Sequence, residues 1–304
     1  MSLSALSGPR YKAITEAGLP YETITVEKLT PIIGAEIGGV ALGGPVSNRQ
    51  MDEIHRALAE NLVIFFRDQH MTQEQHLEFG RQFGPLHLHP AAPHEPGHPE
   101  LMIIKADEKS VRANGEGWHS DVSCDVEPPL GSILYIKECP PHGGDTLFAS
   151  MYAAYEALSD RMKAYLDGLR AVHDGEPVYR GMFANDGVAD KPSYPRAEHP
   201  VIRTHPVTGR RALYVNRGFT TRILGIPPDE SEEFSATSTS TWRTRCSSAA
   251  SAGSRFRGLL GQPLRPAPGD VGLLAAPPLR QSGNGEGRTA GLIARGVQVV
   301  SAPC

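Results

Sequence analysis

The chain has 304 residues, 39% of them hydrophobic, enough to bury a substantial core in one large β-rich domain or two ordinary ones. A net charge of −4 and a pI near 6.3 give no electrostatic reason to expect a nucleic acid or an anionic membrane as partner, since both favour a clustered basic surface. There is no charged-then-apolar leader and no apolar run of bilayer length, and Cys124, Cys139, Cys246 and Cys304 show no paired spacing, so a cytoplasmic protein with reduced thiols is expected.

Ser47 is placed to cap a helix whose apolar positions Met51, Ile54 and Leu58 follow helical spacing, and Leu62 to Phe66 then reads as a buried strand. Thr72 and Gln75 have capping-box spacing for a second helix, with Leu77, Phe79 and Phe83 downstream and Gly84-Pro85 ending it. The histidine-rich stretch "PLHLHPAAPHEPGHPE" carries prolines at intervals that predict a surface loop. Strands are expected at "LMIIK", at Ile133 to Ile136 and at Thr146 to Phe148, and Ser150 opens a helix with Tyr152, Tyr155, Leu158, Met162, Tyr165 and Leu169 near one face. "HPVIRTHPVTGRRALYVNRGFTTRI" reads as a β-hairpin around Thr208-Gly209, and "LGIPPDESEEF" opens a further helix. Short strands around intervening helices suit a fold that is mostly β with helical insertions, a jelly roll.

After Phe234 the composition changes. Residues 235–304 hold no histidine or lysine and only Trp242 and Phe256 as aromatics, among many Ser, Ala, Gly, Arg and Pro. Composition alone would make this a low-complexity tail.

The motif that carries chemistry is Trp118-His119-Ser120-Asp121. An imidazole and a carboxylate two residues apart point to one face if the segment is extended, where one metal can take both. A third ligand from elsewhere would complete the two-histidine, one-carboxylate face that leaves three positions of iron(II) open. A bare His-x-Asp pair is more often a structural hydrogen bond. The segment "PPLGSILYIKECPPHGGDTLFAS" after it, together with "ITVEKLTPIIGAEIGGV", "NLVIFFRDQ", "FGPLHLHP" and "YVNRGFTTRI", resembles the taurine dioxygenase family over roughly residues 20–234.

That resemblance implies a double-stranded β-helix using Fe(II), with 2-oxoglutarate as co-substrate and O2 as oxidant. It implies His119 and Asp121 as catalytic iron ligands, Thr146 as a contact to the far carboxylate of 2-oxoglutarate, and His89, Asn114 and Phe219 as substrate contacts. The implied reaction hydroxylates the carbon next to a sulfonate and releases sulfite, a step of taurine catabolism and sulfur metabolism. An alkyl sulfate or aryloxyacetate dioxygenase, or an inactive relative that binds a small anion, are the alternatives. Ala92 stands where taurine dioxygenase carries a tyrosine, and His87, His94 and His98 read as solvated loop residues. The partner is a small anionic organic molecule, with no nucleic acid or membrane, and a homo-oligomer is expected.

The family's third iron ligand, a histidine near the C-terminus, and two following arginines for 2-oxoglutarate and sulfonate have no counterpart, since the last histidine is His205. The genetic code offers a reason. "GLLGQPLRPAP" (258–268) can be encoded so that reading one base later gives "AFWDNRCAQH", close to the family's iron-ligand strand. The same frame lets the stretch from Gly269 read "RVTWDYLPPHRYGN", with arginine beyond the hidden histidine. Upstream, "STWRTRCSSAASAG" read two bases late permits "YVENPVFQCRF". The expected organisation is therefore a jelly-roll domain over 1–234, incomplete at the C-terminus, and an out-of-frame, poorly ordered tail over 235–304.

Overall fold

The structure, a computed structural model, describes residues 18–104, 118–138, 146, 148–234, 271–275 and 298–303. An antiparallel pair, β1 (Thr25–Lys28) and β2 (Ala35–Gly38), opens the fold and leads into α1 (Asn48–Asn61). Ser47 caps α1 as the spacing requires, its hydroxyl accepting from the Gln50 amide while the Gln50 side chain returns to the Ser47 backbone. No glycine stands at the end of α1. Leu62 takes φ +69° there instead, a conformation costing about 1 kcal/mol or more in a side-chain-bearing residue, and its amide closes on the Leu58 carbonyl at 2.8 Å.

The turn delivers the chain into β3 (Val63–Phe66), buried at every position. Both faces are covered, so its sequence is a continuous apolar run rather than an alternation. α2 (Gln73–Arg81) carries the predicted capping box between Thr72 and Gln75. The prolyl stretch is not wholly loop: it contains β4 (His94–Glu95) and enters β5 (His98–Ile103), an antiparallel pair turning at Gly97, φ +84°. Glycine supplies the turn conformation that prolines alone did not advertise.

β6 (Gly131–Glu138) is the longest strand among the described residues. The single helix expected from Ser150 is two, α3 (Met151–Glu156) and α4 (Asp160–Leu166), because Ser159 caps a new start at the Met162 amide. β7 (Arg170–Asp174), α5 (Glu176–Tyr179), β8 (Arg196–Pro200), β9 (Ile202–Thr204), β10 (Arg211–Leu213) and β11 (Thr220–Ile223) follow. β9 and β10 form the expected hairpin, with Gly209 at φ +69°. Residues 228–234 are helical. The expected strand at Thr146 to Phe148 is reduced, among the described residues, to a bridge at Thr146.

β12 (Val271–Ala275) lies antiparallel between β3 and β6, and β13 (Gln298–Pro303) lies parallel between β6 and β5. The main sheet thus runs β1-β2-β3-β12-β6-β13-β5-β4, beside a three-stranded sheet β11-β7-β8 and the β10-β9 pair. Two segments of the tail therefore take places in the sheet, while its other residues lie outside the described ones. One apolar cluster packs α1 and α2 on the main sheet through Ile54, Leu58, Phe66, Phe79 and Ile133; another joins α3 and α4 to the small sheets through Leu166, Val201, Leu213 and Ile223. No helix among the described residues is long and apolar enough to cross a membrane.

Candidate functional site

His119 and Asp121 sit just before β6. The Nε2 atom of His119 lies 3.0 Å from Oδ1 of Asp121, each side chain about one-third exposed (32% and 30%). Two neighbouring donors of an octahedral ion, each bonded at about 2.1 Å, are themselves about 3.0 Å apart, so the pair has the separation that one metal would require. The second carboxylate oxygen accepts the Ser132 hydroxyl at 2.5 Å. Burial alone would raise the Asp121 carboxyl, but the hydrogen bonds and charge of His119 and the Ser132 hydroxyl outweigh it and bring the pKa down to about 2. The carboxylate is thus ionised and fixed in orientation. Ser132→Ala is expected to weaken Fe(II) binding about 10- to 100-fold, as loss of a carboxylate's outer partner does, measured by anaerobic titration with the thermal melt as control. Unchanged affinity would mean that Ser132 does not orient the carboxylate.

The pair does not lie on an extended strand as expected. His119 and Ser120 are irregular, and residues 121–124 form a turn in which Val122 adopts φ +48°. A β-branched residue there is strained by about 1–3 kcal/mol, and the turn, not strand alternation, brings the carboxylate back to the imidazole. Buried polar contacts hold this shape. The Ser123 hydroxyl accepts from Asn216 Nδ2 at 3.0 Å and lies 2.9 Å from Nδ1 of His173. Ser123 is thus held between Asn216 and His173, whose pKa burial and the neighbouring His199 and Arg203 push down to about 3. The Asn216 Oδ1 accepts the Phe219 amide at 2.9 Å, closing the "NRGF" turn. A Cβ on Gly218 would stand 3.1 Å from the Cβ of His119, so glycine lets this turn lie against the imidazole. Ser123, Ser132, His173, Asn216 and Gly218 escaped the sequence reading; the signals present were that Ser132 lies in "PPLGSILYIKE" and that Asn216 and Gly218 lie in "NRGFTT", both quoted motifs.

His89 is 8% exposed. Its Nδ1 accepts the amides of Ala91 (3.1 Å) and Ala92 (2.8 Å), which places the ring proton on Nε2. Burial pushes its pKa down to about 3, against the opposing pull of Asp121, so His89 offers a neutral hydrogen bond and no charge. Its ring meets Tyr179 at 5.2 Å edge-on, and Tyr179 meets Phe219 at 5.5 Å. His89 and Phe219 are thereby joined in one buried wall with Phe183, Met102 and Val122, next to the Asp121 turn.

Thr146 is half-buried at its bridge, and no described contact ties it to His119 or Asp121. Asn114 lies outside the described residues. His87 is not a solvated loop residue: its side chain is 10% exposed and its Nε2 lies 3.1 Å from Asp125. His94 is exposed as expected, and His98 lies 3.3 Å from Glu74. Among the described residues no group of three His, Cys, Asp or Glu side chains converges on one point.

Residues 25–237 match the family described as "Taurine catabolism dioxygenase TauD, TfdA family". An alpha-ketoglutarate-dependent sulfonate dioxygenase of Saccharomyces cerevisiae is 34% identical over 220 residues, 69% of this chain and 53% of that protein. An alkylsulfatase of Acinetobacter baylyi is 34% identical over 223 residues, 70% of this chain and 69% of that protein. The chain spans about half the length of the yeast relatives that it matches. Among solved structures, a taurine dioxygenase from Burkholderia xenovorans superposes with a TM-score of 0.65 at 33% identity, covering 84% of this chain and 80% of that one. With the sheet-and-helix architecture of these structures and a family match over more than two-thirds of its length, the chain belongs to the TauD, TfdA family of taurine catabolism dioxygenases.

Proposed function

We propose that this protein is built as an Fe(II)- and 2-oxoglutarate-dependent dioxygenase that hydroxylates the carbon next to a sulfonate, releasing sulfite and an aldehyde. The observation that carries the reading is the convergence of His119 Nε2 and Asp121 Oδ1 at 3.0 Å, with Ser132 fixing the carboxylate. These two residues would hold the iron. When bound, iron with 2-oxoglutarate and O2 supplies the oxidising equivalent for breaking a C–H bond, a chemistry no side chain provides. The chain's own contributions are position and exclusion of water. His89 would donate Nε2–H toward the substrate anion, Phe219 and Tyr179 give the apolar wall beside it, and the Ser123–His173–Asn216 contacts keep the ligand turn in shape. Thr146 and Asn114 remain the proposed contacts to 2-oxoglutarate and to substrate.

Part of the proposal concerns the tail. Residues 235–304 are read as an out-of-frame replacement of the segment that would bring the third ligand and the arginines, so the chain as it stands binds iron weakly and turns over little. The family match ending at residue 237 supports this. The test is iron- and 2-oxoglutarate-dependent succinate formation by these 304 residues, together with the visible charge-transfer band under anaerobic Fe(II). Normal turnover would defeat the tail reading, whereas failure of an in-frame chain to give either signal would defeat the dioxygenase reading.

An alkyl sulfate ester is the second substrate reading, favoured by Ala92, buried where taurine dioxygenase carries tyrosine, and by the similarity to an alkylsulfatase. Sulfate instead of sulfite among the products decides for it. A cytoplasmic location and a homo-oligomeric state belong to the same proposal, with sedimentation testing the latter.

A further inference from the structure

Arg203, in β9, is 2% exposed. Its Nε and both terminal nitrogens make no well-aligned hydrogen bond among the described residues; its Cζ lies 3.9 Å over the ring of Tyr214, whose hydroxyl, also without an aligned partner, is close enough to interact with it. The rings of His173 and His199 meet the same tyrosine at 5.4 and 5.5 Å. These histidines bring no negative charge: burial and Arg203 lower both His199 and His205, each to about 4. Among the described residues no carboxylate is ion-paired with the guanidinium; Asp121 acts on Tyr214 but is held by His119 and Ser132. Glu198 pairs with Arg170 at 3.6 Å, Asp174 with Arg196 at 3.7 Å, Glu156 with Arg210 at 2.7 Å, and Asp167 with Arg211.

A guanidinium withdrawn from water keeps its charge, and a buried charge without a counter-charge is among the costliest features a fold can carry. Trapped water would satisfy the N–H groups and leave the charge uncompensated. We propose that the folded protein binds a small monovalent anion, a carboxylate in preference to a halide, at the Arg203 guanidinium beside the Tyr214 hydroxyl. The planar fork of N–H donors, with a phenol O–H next to it, matches the two oxygens of one carboxylate, and one positive charge matches a monoanion. Through His173, which stacks on Tyr214 and contacts Ser123, the site adjoins the turn that carries Asp121, but the proposal does not depend on the dioxygenase reading.

The test is the thermal melt of the full chain in sodium gluconate, whose anion is too bulky to enter, titrated with formate or chloride at constant ionic strength. Formate near 100 times its Kd is expected to raise the melting temperature by about 5 °C, chloride by less. Arg203→Met is expected to lose the response and to melt in gluconate at or above the parent, since it removes an uncompensated charge. Arg203→Lys keeps the charge without the fork and should respond only at higher formate. The proposal is overturned if the parent responds no more than Arg203→Met, or if Arg203→Met melts several degrees below the parent in gluconate, which would show that the chain supplies its own counter-ion. Chloride outperforming formate would overturn the carboxylate assignment.

Discussion

Replacing residues 235–304 by the proposed in-frame reading is expected to raise 2-oxoglutarate turnover at least on the order of 10²-fold, since even outer-shell partners of a metal site carry effects of that size and here a direct ligand would be supplied. Iron-dependent succinate formation by the two chains, side by side, measures it. The reason is coordination: His119 and Asp121, 3.0 Å apart, would occupy two positions of an octahedral ion, and two ligands would neither hold Fe(II) against water nor fix which positions stay open. The His119→Ala variant of the restored chain should fall back to the level of the chain as it stands. Equal turnover before and after restoration would remove the basis for the frame argument.

The largest stability effect is expected at Glu53, far from the metal pair. Its side chain, 0% exposed, accepts the amides of Glu22 (2.8 Å), Thr23 (2.9 Å) and Ile24 (3.2 Å) and the Thr23 hydroxyl (2.7 Å), with Arg49 at 3.4 Å. One carboxylate on α1 thus ties down the segment that leads into β1. Glu53→Ala strands three backbone donors at or near burial and is expected to cost about 3–5 kcal/mol, lowering the melting temperature by about 10 °C. The same residue sets a pH dependence. Burial raises its pKa, but the three hydrogen-bonding groups and Arg49 outweigh burial and leave it below the ordinary value of 4.5. A depressed folded pKa contributes stability that is complete above 4.5 and is lost as the pH falls below it, so Glu53→Gln should flatten the acid side of the stability profile. A melt of Glu53→Ala within a degree of the parent would show that water replaces the carboxylate without penalty.

Much of the frame was legible because its determinants are local. Ser47 with Gln50, and Thr72 with Gln75, are pairs three residues apart whose hydrogen bonds form wherever the backbone turns into a helix, and the run Val63 to Phe66 has no destination but an interior. The His-x-Asp pair and the motifs around it identified the family for the same reason, since their spacing is fixed along the chain. What the linear string left open depends on which distant segments meet. Val122 at φ +48° is tolerable only because Asn216 and His173, 93 and 50 residues away from Ser123, hold the turn that contains it. Whether His89 would carry charge was equally undetermined until burial and the Ala91 and Ala92 amides made it neutral. Sequence by itself determined the family and two candidate ligands; the tertiary structure alone decided their approach to 3.0 Å and the isolation of Arg203, because distance and desolvation are properties of the packed chain.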